Sequence, residues 1–190
     1  MSQYLVLIGA IVNVLGTSTY VWQTVRGKTK PNRMTFLLWS TAPFIGAIAA
    51  FASGVTWPAV TVLVAALCPF SILLASFANR NAYWRLTTLD YVCGALSLVA
   101  LGSWYATDQP VLAIAFAILS DAFATAPTLV KAWRYPETES ALSYFGSAFS
   151  ALMGIVAARS WTFSAVAFPV YLFLAMGLTG IGAVRRGRVL

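Results

Sequence analysis

The sequence PVLAIAFAILSDAFATAPTLV, residues 110–130, contains a single charged residue, Asp121, in the middle of an otherwise apolar run. A run of about 20 apolar residues is long enough to cross a bilayer as an α-helix. A charge near the centre of such a helix costs at least about 2.5–3.5 kcal/mol, and it persists where it faces protein or water. This stretch therefore predicts a transmembrane helix whose one acid faces a pathway or a binding site.

The composition of the whole chain favours a membrane protein. Of its 190 residues, 60% are hydrophobic and 9% are charged, whereas ordinary soluble domains have about 25% charged residues. Residues 1–25 and 34–79 carry no charge, and the second run is long enough for two spans separated by turn-forming residues at 54–58. We therefore expect an all-α membrane protein with seven transmembrane helices and no separate soluble domain; the other spans fall at 89–105, 110–130, 141–158 and 161–184.

The distribution of lysine and arginine predicts the orientation of the chain, because cytoplasmic loops of membrane proteins are enriched in these residues. If the first loop is cytoplasmic, Arg159 is the only one of the 12 lysines and arginines that lies outside. The N-terminus is then outside and the C-terminus inside. This assignment also explains the net charge of +7 without nucleic acid as a partner. The inside residues are Arg26, Lys28, Lys30, Arg33, Arg80, Arg85, Lys131, Arg134, Arg185, Arg186 and Arg188.

An internal repeat relates the two halves of the chain. With a shift of 108 residues, apolar spans, breaks and basic loops recur in phase, and Asn13 falls on Asp121. Two copies of a three-helix unit share one orientation only if an odd number of helices connects them, so we expect a 3+1+3 arrangement of two parallel repeats. Its parts are a first three-helix bundle at 1–80, a connector helix at 86–106, a second three-helix bundle at 109–184 and a basic cytoplasmic tail at 185–190.

Two loops resemble the PQ-loop motif. The sequence TAPTLVKAWRYPETESALSY, residues 125–144, has Pro127-Thr128 at the place of the Pro-Gln pair and basic residues after it. Lys131 and Arg134 stand at the basic positions, and Ser140 or Ser143 stands for the serine that enters the next helix. The first repeat has TSTYVWQTVRGKTKPNRMTF, residues 17–36, with Thr19-Tyr20 at the place of the pair. By this motif and by its architecture the chain resembles the SWEET and PQ-loop family.

The resemblance implies two three-helix bundles around a central path. Members of the family move sugars, amino acids or other small solutes, and some act as receptors. Prolines within their helices are thought to allow bending during alternating access, and proline does remove a backbone hydrogen bond from a helix. The helix-bending candidates here are Pro43, Pro69, Pro127 and Pro169, although ordinary kinks explain them equally well.

The candidate site is centred on Asp121. It is predicted to bind solute directly or to carry a proton, and the alternative is a structural hydrogen bond to a neighbouring helix. Thr125 lies four residues later on the same helical face. Asn13 and Thr17 occupy the matching places in the first repeat, where an amide can both donate and accept hydrogen bonds. Interhelical bonding explains Asn13 as well as solute contact does.

Aromatic residues supply further candidates. Trp39 lies beside Ser40 and Thr41 inside its span, where its ring can stack on a solute or simply pack. Tyr20 and Tyr171 are weaker candidates of the same kind. The other tryptophans lie near the ends of spans, where interfacial anchoring explains them.

Charged residues at the cytoplasmic ends have two interpretations. Arg26 and Arg134 either set the topology or form an intracellular gate with Glu137 or Glu139. Asp90 is expected to start a helix or to pair with a nearby base such as Arg85.

Several function classes are disfavoured. The chain has no histidine, which argues against zinc, haem and Ser-His chemistry, and the lysine that a retinal photoreceptor needs is missing from the interior of the spans. We expect no enzyme, no metal and no cofactor; Cys68 and Cys93 are expected to be buried free thiols. The prediction is a transporter of a small polar solute in a prokaryotic plasma membrane. Uniport and proton symport through Asp121 are both left open, and so is the oligomeric state. The alternative is a non-transporting receptor of the same fold.

Overall fold

The computed structural model describes residues 2–52, 57–107, 109–158 and 160–185. Over these residues the chain forms seven α-helices and two single-turn 3-10 helices, at Arg80–Ala82 and Pro136–Thr138. The predicted all-α class and the predicted number of helices are therefore confirmed. The α-helices are α1 (Ser2–Val25), α2 (Arg33–Ala52), α3 (Trp57–Ala78), α4 (Thr88–Tyr105), α5 (Pro110–Arg134), α6 (Ala141–Ala157) and α7 (Phe163–Val184).

Three of the helices are long and apolar enough to cross a membrane, namely α1, α5 and α7 over Tyr4–Val25, Val111–Arg134 and Ala165–Val184. Part of α3, Val62–Ala78, and the whole of α6, Ala141–Ala157, are apolar but shorter. Most of the predicted turn at 54–58, the outside Arg159 and the basic tail beyond Arg185 lie outside the described residues.

Local sequence explains where two of the helices begin. The carboxylate of Asp90, in the first turn of α4, accepts hydrogen bonds from the backbone N–H of Thr87 at 2.5 Å and from its hydroxyl at 2.7 Å. Asn32 also donates to Asp90 from the start of α2. Asp90 therefore starts a helix, one of its two predicted roles. α5 begins with Pro110. Proline suits this position because it has no backbone N–H, and the N–H groups of the first helical turn have no partner within the helix.

The helices pack in two groups of three with the same order of neighbours. α3 contacts both α1 and α2, and α7 contacts both α5 and α6. The groups meet where α1 packs on α6 and where α2 packs on α5, while α4 lies against α5 and α2.

The buried apolar core is concentrated at one end of the molecule, which we call the basic end. This end is formed by loops 26–32, 79–87 and 135–140, and its basic residues include Arg26, Lys28 and Arg85. The core side chains lie close to where their helices reach this end, so the basic end is filled. The largest are Tyr20, Phe36, Ile72, Leu73, Tyr144 and Met176.

The contact between α1 and α6 depends on glycines. A Cβ atom added to Gly16 would lie 3.0 Å from the carbonyl oxygen of Leu142, and one added to Gly146 would lie 3.0 Å from the carbonyl oxygen of Val12. Small residues allow helix backbones to approach closely where a membrane supplies no hydrophobic driving force. The two groups of helices are therefore held together closely along this line.

We expect Gly16→Val to destabilise the protein by about 1–3 kcal/mol, because the added side chain overpacks the α1–α6 contact. The free energy of unfolding in detergent measures this effect. Gly177→Val is the matched control, since a Cβ at Gly177 meets nothing within 4 Å. Equal losses in the two variants would contradict close packing at Gly16.

Candidate functional site

A cavity of about 380 Å³ lies between the two groups of helices. It is lined by side chains from α1, α2, α3, α5, α6 and α7, and we call it the central cavity. Its volume lies within the range typical of small-molecule sites, about 300–1,000 Å³. Four of the five predicted solute-contact residues line it, namely Asn13, Thr17, Trp39 and Asp121.

Asp121 is the one formally charged residue among the described residues that line this cavity. Its Oδ2 atom accepts hydrogen bonds from the hydroxyl of Tyr171 at 2.8 Å and from the hydroxyl of Thr125 at 3.1 Å. Within the described part of the chain, Oδ1 accepts no hydrogen bond. Asp121 is therefore held in place through one oxygen while the other remains available.

Thr125 links the carboxylate to an aromatic ring. The indole N–H of Trp39 in α2 donates to the hydroxyl of Thr125 at 3.2 Å, and Thr125 donates to Asp121. Thr125 itself is buried, so its observed role is to position Asp121 and Trp39. Phe36 packs edge-on against Trp39, with the ring centroids 5.3 Å apart. The carboxylate and the tryptophan thus form one connected unit across the α2–α5 contact.

Asn13 lies in the same cavity on the α1–α6 side. The hydroxyl of Ser147 in α6 donates to its Oδ1 atom at 2.8 Å, so Asn13 makes the interhelical bond that was one of its two predicted roles. Thr17, one helical turn further along α1, is buried at the cavity wall. Polar groups from both halves of the chain therefore face one space.

The predicted helix-bending prolines lie inside α2, α3, α5 and α7. Pro43, Pro69 and Pro169 line the central cavity, so any bending at these positions would change its width. Pro127 lies elsewhere, beside a cleft between α4 and α5 at the basic end.

A second space of about 450 Å³, which we call the side cavity, lies next to the central cavity. It is lined mainly by apolar residues of α2, α4 and α5. The two cavities share Trp39, Pro43, Ala65, Asp121 and Phe168. Ser97 and Ser120 bond to each other at its wall, with their hydroxyl oxygens 3.1 Å apart. Asp121 therefore borders two spaces.

A cluster of buried polar side chains around Glu139 lies at the basic end, next to the central cavity, and its Tyr144 lines that cavity. The hydroxyls of Tyr20 and Tyr144 both donate to Oε2 of Glu139, and the Tyr144 bond is 2.6 Å long. The ammonium group of Lys131 lies 2.5 Å from Oε1, and both charged side chains are almost completely buried. Lys131 also donates to the carbonyl oxygen of Lys30. We call these four side chains the Glu139 cluster.

The Glu139 cluster joins the two groups of helices. Tyr20 belongs to α1, whereas Lys131, Glu139 and Tyr144 belong to the second half of the chain. A backbone bond of 2.8 Å from the N–H of Lys30 to the carbonyl of Thr138 adds a further link. Sequence reasoning missed this cluster because it paired Glu139 with Arg26 or Arg134. The available signal was the other basic residue in the last turn of α5, Lys131, which lies eight residues before Glu139.

The predicted gate arginines lie outside the Glu139 cluster. Arg26 is exposed, and its guanidinium carbon lies 4.3 Å from the ring centroid of Trp22. Arg134 is exposed beside the cleft between α4 and α5. In this conformation Glu139 is paired with Lys131 instead, so a gating role for the two arginines stays a prediction.

Searches against protein-family models, curated proteins and solved structures gave no significant match to this chain. Membership of the SWEET and PQ-loop family therefore stays a prediction from the sequence.

Proposed function

We propose that this chain transports a small polar solute, such as a sugar, an amino acid or a related metabolite, by alternating access across a prokaryotic plasma membrane. The proposed arrangement has seven spans in a 3+1+3 order, with the N-terminus outside and the C-terminus in the cytoplasm. The bilayer and the solute are its proposed partners.

The order of helix neighbours supports the 3+1+3 arrangement. A rotation that carries α1, α2 and α3 onto α5, α6 and α7 would exchange the α1–α6 contact with the α2–α5 contact, and both contacts are present. The third helix also lies between the other two in each group. Sites in parallel-repeat transporters lie between the repeats near the bilayer midplane. Asn13 and Asp121 lie near the middle of α1 and α5, which is consistent with such a site.

The observation that carries the proposal is a cavity between the two groups, mostly apolar but with a few polar side chains including Asp121 and Asn13, beside side chains that link the two groups at the basic end. The Glu139 cluster and the apolar core fill the basic end, whereas Asp121 and Asn13 line the cavity near the middle of their helices. Rocking of one group against the other would break the Tyr20–Glu139 bond and open the basic end. We therefore propose that this conformation is closed to the cytoplasm and that solute reaches the cavity from the outside.

Proton coupling through Asp121 is part of the proposal. A carboxylate that borders both the central and the side cavity can exchange a proton with one space while solute occupies the other. Proton relays in membrane transporters commonly use such intramembrane acids.

Counterflow in liposomes tests the proposal. A metabolite that raises the unfolding temperature of the purified protein is first identified, since specific ligands stabilise the folded state. Liposomes loaded with that metabolite should then accumulate its labelled form, and protein-free liposomes should not. A metabolite that stabilises the protein without counterflow would contradict transport and support the receptor alternative.

A further inference from the structure

We infer that the central cavity binds a small organic cation, with Asp121 as its counter-charge and aromatic rings around the cationic group. The inference deepens the proposed function, because it assigns a ligand class to the same cavity. It depends on the charge balance of that cavity and on the surroundings of Asp121.

Among the described residues, the lining of the central cavity carries one negative charge and no positive charge. Asp121 is the one charged residue in the cavity lining, and its Oδ2 atom is bound by neutral hydroxyls of Thr125 and Tyr171. The buried ammonium group of Lys131 is already paired with Glu139 at 2.5 Å. Once a ligand displaces water from this mostly apolar cavity, an ionised carboxylate needs a counter-charge, and a bound cation supplies one to Oδ1.

The aromatic surroundings suit an ammonium group. Trp39 is connected to Asp121 through Thr125, and Phe168 lines the cavity and lies 6.0 Å from the ring of Tyr171, measured between centroids. Cations bind favourably over the faces of such rings, and tryptophan is the strongest partner. A carboxylate beside aromatic rings therefore distinguishes a cation from a neutral solute of the same shape.

Hydroxyl and amide groups define the opposite side of the cavity. Asn13, Ser147 and Ser150 line it, and the Nδ2 donors of Asn13 are not used in its bond to Ser147. These groups suit a hydroxyl or carbonyl on the ligand. We expect a cation that also carries a hydroxyl or a carbonyl group.

Cys68 offers a native probe, because its thiol lines the same cavity. In a Cys93→Ser background, we would measure its reaction rates with a trimethylammonium and a sulfonate methanethiosulfonate reagent, each relative to a small free thiol. The cationic reagent should be favoured by at least about tenfold, and Asp121→Asn should remove this preference. Glu137→Gln, which removes an exposed carboxylate outside the cavity, should leave it unchanged.

Choline and its neutral isostere 3,3-dimethylbutan-1-ol then test the ligand class. Choline should slow the labelling of Cys68 at concentrations at least about tenfold lower than the isostere. No charge preference, a preference that survives Asp121→Asn, equal protection by both compounds, or no protection by choline would each overturn the inference. Protection by choline without counterflow would instead leave cation binding intact and contradict transport, so the two failures are distinguishable.

Discussion

Asp121→Asn is expected to lower the transport of the identified solute by at least about tenfold while leaving the protein folded. The substitution keeps the size of the side chain, and the amide oxygen can still accept from Tyr171, but it removes the charge that faces the cavity. Hydrogen bonds to charged groups contribute about 1.5–3 kcal/mol, and each 1.4 kcal/mol corresponds to about tenfold in affinity. Initial rates of uptake into liposomes measure the loss.

Stability separates a transport role from a structural one. Removing a charge from a membrane helix relieves a desolvation cost, so the unfolding temperature of Asp121→Asn should equal or exceed that of the wild type. Glu137→Gln is the matched control, because it neutralises an exposed carboxylate in the α5–α6 loop. Wild-type uptake in Asp121→Asn, or a large loss of stability, would contradict the assigned role.

Glu139→Gln and Lys131→Met are each expected to destabilise the protein by about 3–5 kcal/mol, because either change leaves a buried charge without its partner. The two charged groups are 2.5 Å apart and almost completely buried. The double variant should lose less than the sum of the single variants, since it leaves no unpaired charge. The free energy of unfolding in detergent gives all three values.

The control for this cycle is again Glu137→Gln, for which we expect a change within about 0.5 kcal/mol because the residue is exposed. Single variants within about 1 kcal/mol of the wild type would contradict a buried ion pair at the basic end. Strictly additive losses in the double variant would contradict direct coupling between Lys131 and Glu139.

The sequence could predict the helices and the residues that are unusual within them. Asp121 and Asn13 stand out because polar groups are rare in apolar spans, and the spacing of four residues places Thr125 beside Asp121. The lengths of the uncharged runs, together with the turn-forming residues at 54–58 that divide the longest run, also predicted the number of helices. These are local properties of the chain.

The partners of those residues could not be predicted in the same way. Tyr171 is 50 residues from Asp121 along the chain, and Ser147 is 134 residues from Asn13. Their contacts depend on which helices are neighbours and on how each helix is rotated, and apolar residues all around a span give no signal for either. The same applies to Glu139, whose partner depended on how the α5–α6 loop folds back.

The sidedness of Cys68 labelling tests the account most directly. In a Cys93→Ser background, a membrane-impermeant thiol reagent would be applied to right-side-out and to inside-out vesicles without solute. We expect faster labelling from the outside, and Glu139→Gln should increase labelling from the cytoplasmic side by weakening the closed basic end. In the protein with intact Glu139, two results would contradict a cavity around Asp121 that is open to the outside. One is labelling from the cytoplasmic side that is as fast as, or faster than, labelling from the outside. The other is no labelling from either side.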